Sequence, residues 1–255
     1  MTLKIVVLIA SVNALLTTAY TVLYLNLSLS SYVAVTAAFL STLLSNLLGK
    51  FNIRVGNLKL SSELRKASII KLSNDYLVQS LRFKALQNIV VELNLGGVVM
   101  PLIISMLILT HISTYYGVVP LLTSLLLIIA STLIINRVSV VIKGLGLAVP
   151  VIVVSTVTSL LSLLVTVSTA QWVGLGIHYS YLVAYTSTLL GVDLMNISKI
   201  SFYDARRLII GGLKVYDALS IVPAASTVIT YLITTALYTY LNAKPISHVC
   251  LFLTA

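Results

Sequence analysis

Charge is what this chain has least of. Charged residues are 9% of its 255, and only 6 residues are acidic. A soluble domain carries about 25% charged residues, so this chain cannot cover a water-facing surface. A soluble enzyme, a disordered chain and a fibrous one are all excluded. Cysteine is nearly absent. Cys250 stands alone, which excludes an intramolecular disulfide and any cysteine-rich zinc or iron–sulfur site. The three histidines, His111, His178 and His248, are far apart in sequence. No paired spacing links them, so no metal and no other cofactor is expected. Gly/Ser-rich linkers are missing too, and a single domain over 1–255 is expected.

Apolar residues fill the chain: 59% are hydrophobic, and the mean hydropathy is +1.08. A helix needs about 20 apolar residues to cross an ordinary bilayer. Seven runs qualify, at 5–25, 32–48, 89–110, 118–135, 148–168, 179–196 and 215–241. The first is longer than the apolar core of a cleavable signal, about 7–15 residues, and is expected to stay. The expected fold class is all-α, a polytopic transmembrane helix bundle of about seven spans in the cell membrane.

Sixteen Lys and Arg give a net charge of +10. In a soluble protein this would suggest nucleic acid. Here the basic residues lie between apolar runs, so they orient the chain in lipid and no nucleic-acid partner is expected. Eight fall between Lys50 and Lys84, Arg137 and Lys143 follow the fourth run, and Lys199, Arg206 and Arg207 follow the sixth. With Lys4 these share one side, Lys214 borders it, and Lys244 alone lies opposite. That alternation predicts N-in and C-out. Trp172, Tyr179 and Tyr181 are expected to anchor the outer interface with Tyr115 and Tyr116.

The basic segment 50–88 has its own pattern. Ser61 or Ser62 can cap a helix, and Leu64, Ile70, Leu77 and Leu81 recur near helical spacing. The expectation is an amphipathic helix lying on anionic lipid headgroups, with a docking surface for a partner as the alternative. The partners expected are the bilayer and those headgroups. Oligomeric state is open.

Ionisable groups inside a span cost about 3 kcal/mol on insertion scales, so each needs a reason. Asp193 lies near the inner end of the sixth run and Asp217 at the start of the seventh. Taken singly, each has a plain partner: Lys199 or Arg206 for Asp193, and Lys214 for Asp217. Taken together, they lie on neighbouring antiparallel runs toward the same side. Two carboxylates sharing a site become a proton-sharing acid and base. An aspartyl hydrolase and a proton-coupled transporter both use such a pair. Gly211-Gly212 upstream allows irregular backbone. Glu92, Asn94, Gly96, Gly97 and Pro101 open the third run. Glu92 is expected to snorkel or to pair with Lys84. Asn94 is expected to bond a neighbouring helix, the glycines to admit close packing, and Pro101 to free a carbonyl near mid-membrane. A small polar site there is the alternative.

Four strings occur in order: Asn94-Leu95-Gly96-Gly97-Val98-Val99-Met100-Pro101, Gly144-Leu145-Gly146-Leu147-Ala148-Val149-Pro150, Gly191-Val192-Asp193-Leu194-Met195-Asn196, and Ile210-Gly211-Gly212 followed by Tyr216-Asp217. This set resembles the domain-of-unknown-function family "sixteen-fourteen", predicted membrane proteins common in archaea. The resemblance implies a multi-pass membrane protein and no established activity. More loosely, the two aspartates are similar to those of intramembrane aspartyl proteases of the presenilin and prepilin-peptidase type. That analogy implies Asp193 and Asp217 as catalytic residues. A proton-coupled or small-solute transporter and a non-catalytic scaffold remain the other readings.

The charge asymmetry gives the first test. A reporter fused after Ala255 should be active outside the cell, and one inserted near Ser73 inside it. Cytoplasmic activity of the C-terminal fusion would put the span count off by one.

Overall fold

The computed structural model describes residues 3–72, 75–142, 146–168, 173–197, 207–213 and 216–243, with the backbone alone at 3, 58–72, 75–88, 141, 146, 167–168, 173 and 241–243. Its helices are α1 (Leu3–Asn26), α2 (Ser31–Leu48), α3 (Met100–Tyr115), α4 (Val118–Val138), α5 (Val151–Ser168), α6 (Val173–Thr188) and α7 (Ala218–Ala243). Two π-helical turns, Leu95–Val99 and Leu189–Leu194, precede α3 and follow α6. Five of these helical stretches are long and apolar enough to cross a membrane, and α5 contains a shorter apolar helix.

The bundle is polar inside and apolar outside. On α4, Leu125, Leu126, Ile129 and Leu133 are exposed, whereas Ser124, Ser131 and Thr132 are buried. On α5, Ile152 and Leu164 face outward while Ser155, Thr158, Ser159, Ser162 and Thr166 face in. In water this pattern would be unstable; in lipid it is the expected one. Acyl chains are as apolar as leucine, so helices associate through close packing and interhelical hydrogen bonds. Between α5 and α7 the Thr158 and Ser226 hydroxyls meet at 2.9 Å, Ser159 donates to the Ser226 carbonyl at 2.9 Å, and Ser155 donates to that of Val222 at 3.1 Å. Between α1 and α2, Asn46 donates to the Asn13 side-chain oxygen at 2.7 Å, and the Tyr24 and Ser41 hydroxyls meet at 2.7 Å.

α6 is the central helix. Almost every described residue from Leu175 to Thr188 is buried, against α1, α3, α4, α5 and α7. This explains its sequence: Ser, Tyr and His are tolerated because α6 meets protein on all sides, not acyl chains. It also corrects one expectation. Tyr179 and Tyr181 are 1% and 0% exposed, so they are interior residues and not interfacial anchors. Tyr179 donates to the Pro120 carbonyl at 2.6 Å. Tyr115, at 73% exposure, does stand at the surface. Trp172 lies outside the described residues.

The all-α expectation also needs correcting. The segment expected to form an amphipathic helix is a long antiparallel hairpin of β1 (Asn52–Leu72) and β2 (Asp75–Asn94), joined in parallel by β5 (Arg207–Ile210). β3 (Val140–Ile142) and β4 (Gly146–Ala148) form a second small ladder. The helical spacing of Leu64, Ile70, Leu77 and Leu81 hid a stronger period of two. Leu81, Phe83, Ala85, Ile89, Val91 and Leu93 alternate along β2. In register, Leu58 pairs with Ile89, Leu64 with Phe83 and Ile70 with Leu77. Strand pairing therefore puts apolar positions opposite one another. The register slips once, between Arg54 and Gly56.

Three span boundaries move in consequence. Residues 89–94 belong to β2, so the third span opens at Leu95. α6 begins at Val173, six residues before the expected 179. The run 207–217 is β5 followed by a turn, and α7 starts at Ala218.

Close backbone approach is most exacting at Gly96. A Cβ there would overlap the Ser45 carbonyl oxygen and lie 2.5 Å from the Gly49 nitrogen. The last turn of α2 therefore rests directly on the π-helical turn. Gly96→Ala should cost at least about 2 kcal/mol, read as a lower melting temperature in detergent. A wild-type melting curve would show that the two segments separate freely.

Candidate functional site

The sequence-selected polar residues gather at one end of the bundle, where the hairpin joins it. Asn94, the last residue of β2, is 2% exposed. Its side-chain oxygen accepts the Gly97 N–H at 2.9 Å, capping the first π-helical turn. Its amide donates to the Gly49 carbonyl at 2.9 Å and the Asn52 side-chain oxygen at 2.8 Å, with the Phe51 carbonyl at 3.4 Å. One side chain thus fastens the end of α2, the start of β1 and the start of the third span. Glu92, half-buried on β2, lies opposite Arg54 in register and receives the Asn52 amide at 3.5 Å. Lys84, its expected partner, belongs to the stretch described by backbone alone.

The π-helical turns leave carbonyls without α-helical donors, and side chains from other helices take them. Pro101 has no N–H to give Gly97, four residues back. The Gly97 carbonyl faces the Ser220 hydroxyl at 3.4 Å, and the neighbouring Val98 carbonyl receives Tyr185 at 3.0 Å. Pro101 therefore stands in the first turn of α3, not at mid-span. In the second turn, the Gly191 carbonyl accepts from Asn136 at 2.9 Å and Asn196 at 2.8 Å. A Cβ at Gly191 would sit 2.7 Å from the Thr132 carbonyl oxygen. Gly211, at φ +72°, ends β5 against the first turn, where a Cβ would meet Val98 at 2.7 Å. Only glycine adopts that backbone at so short a distance without strain. At Gly212 the nearest contact would be 3.0 Å, to the Ile209 carbonyl oxygen.

Asp193 lies in the second π-helical turn and Asp217 immediately before α7; both are half-buried. The charge on Asp217 acts on Asp193. Tyr185 is in turn within reach of the Asp193 charge. Asp217 is held by backbone. One carboxylate oxygen accepts the Leu219 N–H at 3.1 Å and the other that of Leu213 at 3.3 Å. It therefore caps α7, with its charge at the favourable end of the helix dipole. No salt bridge reaches either carboxylate among the described residues. Lys199, Arg206 and Lys214, the plain partners, lie outside the described residues.

Sequence reasoning missed a second group. His178 on α6 is fully buried, and neither ring nitrogen has a hydrogen-bond partner. Its ring centroid is 5.0 Å from that of His111 on α3, which also stacks near Tyr115 at 4.5 Å. Their separation in the chain concealed the pair. Among the described residues no set of three or more His, Cys, Asp or Glu gathers as for a metal ion.

An inside-out bundle with five helices apolar and long enough to cross a bilayer among the described residues has the character of a multi-pass membrane protein. The chain belongs to the family described as protein of unknown function (DUF1614), whose model matches residues 46–232. The match takes in the hairpin, both π-helical turns and both aspartates. No curated protein and no solved structure matches the chain.

Asn94 carries the joint between hairpin and bundle. Asn94→Ala should lower stability by about 3 kcal/mol, since it removes a cap and strands buried acceptors. Asn94→Asp keeps the cap acceptor but loses the donors, so its melting temperature should also fall. Unchanged melting for both would assign the joint to β-pairing alone.

Proposed function

We propose that Asp193 and Asp217 act as one acid–base pair, and that the protein is an aspartyl-type hydrolase acting on membrane-borne peptide. The observation that carries this reading is the approach of two half-buried carboxylates from different segments with no described base between them. Two carboxylates so placed share a proton. One activates water and the other polarises the scissile carbonyl. Asp217, oriented by two amide N–H groups, is the fixed member, and Asp193 carries no such bonds among the described residues. The edge strand β5 supports a peptide substrate. It pairs on one side with β2 and ends seven residues before Asp217. Among the described residues no strand pairs with its other edge, which would offer backbone groups to an extended chain.

Proton-coupled transport is the second reading. The run of buried polar side chains along α6 favours it, because a hydrolytic site at one end does not need them. In either case the basic side faces the cytoplasm of the cell, with the hairpin's lysines and arginines near anionic headgroups.

The test is cleavage of a fluorogenic transmembrane peptide by the reconstituted full chain. Asp193→Asn and Asp217→Asn should each lower the rate by at least about 100-fold with melting temperature nearly unchanged. A variant that cleaves as the wild type does would remove its aspartate from the chemistry. Absent cleavage, with pH-dependent solute flux altered by the same substitutions, would select the transporter.

A further inference from the structure

We propose that one face of α6 is a proton path across the bundle, from the His111–His178 pair at the far end to the Asp193–Asp217 pair at the hairpin end. His178, Tyr181, Tyr185 and Thr188 follow one another at intervals of three, four and three residues. At 100° per residue these positions share a single helical stripe. All four are buried. The stripe and the π-helical turn after it run about 22 Å along the helix axis from His178 to Asp193, most of the roughly 30 Å hydrocarbon core.

Each station has an exchangeable proton. Both His178 nitrogens and the Thr188 hydroxyl have no hydrogen-bond partner, the Tyr181 hydroxyl has only Tyr20 in reach, and the Tyr185 hydroxyl donates to the Val98 carbonyl at 3.0 Å. Buried polar groups are normally paired, and unpaired groups on one stripe of the least lipid-exposed helix are not explained by packing. Tyr181 lies within electrostatic reach of Tyr185, and Tyr185 of Asp193. His111 is half-exposed near the end of α3, one turn before the α3–α4 connection, and gives the path its outer mouth.

Other elements contribute few ionisable groups to this stripe. α1 brings Tyr20, whose ring centroid is 6.3 Å from that of Tyr181, and Tyr24. α3 brings His111, with Tyr115 and Tyr116 beside it. Asp217 stands before α7. α4 and α5 bring none among the described residues. A proton taken by an imidazole passes inward by exchange. Each hydroxyl accepts one proton and releases another, through water admitted between stations, and the last proton rests on the carboxylate pair. No station changes charge after the transfer, so the tyrosines relay without ionising.

The path rests on the aspartates sharing a proton and holds whether or not they cleave peptide. The test uses the full chain reconstituted in phosphatidylcholine–phosphatidylglycerol vesicles loaded with pyranine, with a potassium diffusion potential imposed by valinomycin. Wild type should acidify the lumen faster than protein-free vesicles. Tyr181→Phe, which removes one hydroxyl and its contact with Tyr20, should slow that at least tenfold. His178→Gln and Asp193→Asn should do the same. Tyr179→Phe is the control, because its hydroxyl points toward α4 and bonds Thr123 and Pro120; its flux should equal wild type. Peptide cleavage is assayed on the same preparations. Wild-type flux no greater than that of empty vesicles overturns the path while leaving the hydrolase intact, and so does undiminished flux in folded Tyr181→Phe. Should Tyr181→Phe fail to fold, undiminished flux in His178→Gln overturns it equally.

Discussion

Everything in this molecule follows from the fact that its solvent is a bilayer. Acyl chains compete with leucine on equal footing, so apolar side chains gain little by turning inward. The interior is left to groups that lipid cannot satisfy. Hydroxyls of α5 and α7 bond across their contact, the amides of Asn13 and Asn46 join α1 to α2, and leucines and isoleucines coat the outside. The same constraint governs the backbone. Irregular segments at membrane depth are tolerated only where protein supplies the missing donors. The carbonyls of the two π-helical turns are met by Tyr185, Ser220, Asn136 and Asn196.

Those two turns organise the hairpin end. Each replaces a regular helical turn with wider backbone, and each needs glycine where another segment presses against it. Gly96 lies under α2, Gly191 against α4, and Gly211 brings the end of β5 onto the first turn. The two chain reversals that position Asp193 and Asp217 are therefore locked to the same scaffold. Asn94 adds the β-hairpin to it through one buried amide.

Much of the bundle was legible in the residues. Composition alone placed the chain in lipid, and five of the expected spans fall on helices long enough to cross it. Gly96 was readable as a close-packing position, and Gly211 as a site of irregular backbone, because glycine pairs in apolar runs have few other uses. The hairpin was misread. Two periodicities overlap here: a helical one through 64–81 and a period of two, interrupted at Leu86-Gln87 and Val90, from Leu81 to Leu93. Tyr179 and Tyr181 were misplaced for a related reason. Tyrosine near a span end usually marks an interface, and nothing local reveals that the helix carrying it is surrounded by others.

The sequence by itself determined the apolar character of the helices, the clustering of basic residues between the apolar runs and the presence of aspartates in or beside them. These are properties of composition and order, and they hold for any packing of the helices. Only the tertiary structure decided which helix lies at the centre, and so which polar residues are buried. It alone brought His111 to His178 across 67 positions. Such pairings depend on how helices rotate about their axes. In a bilayer, that rotation is set by hydroxyl and backbone contacts between helices distant in the chain, which no local pattern encodes.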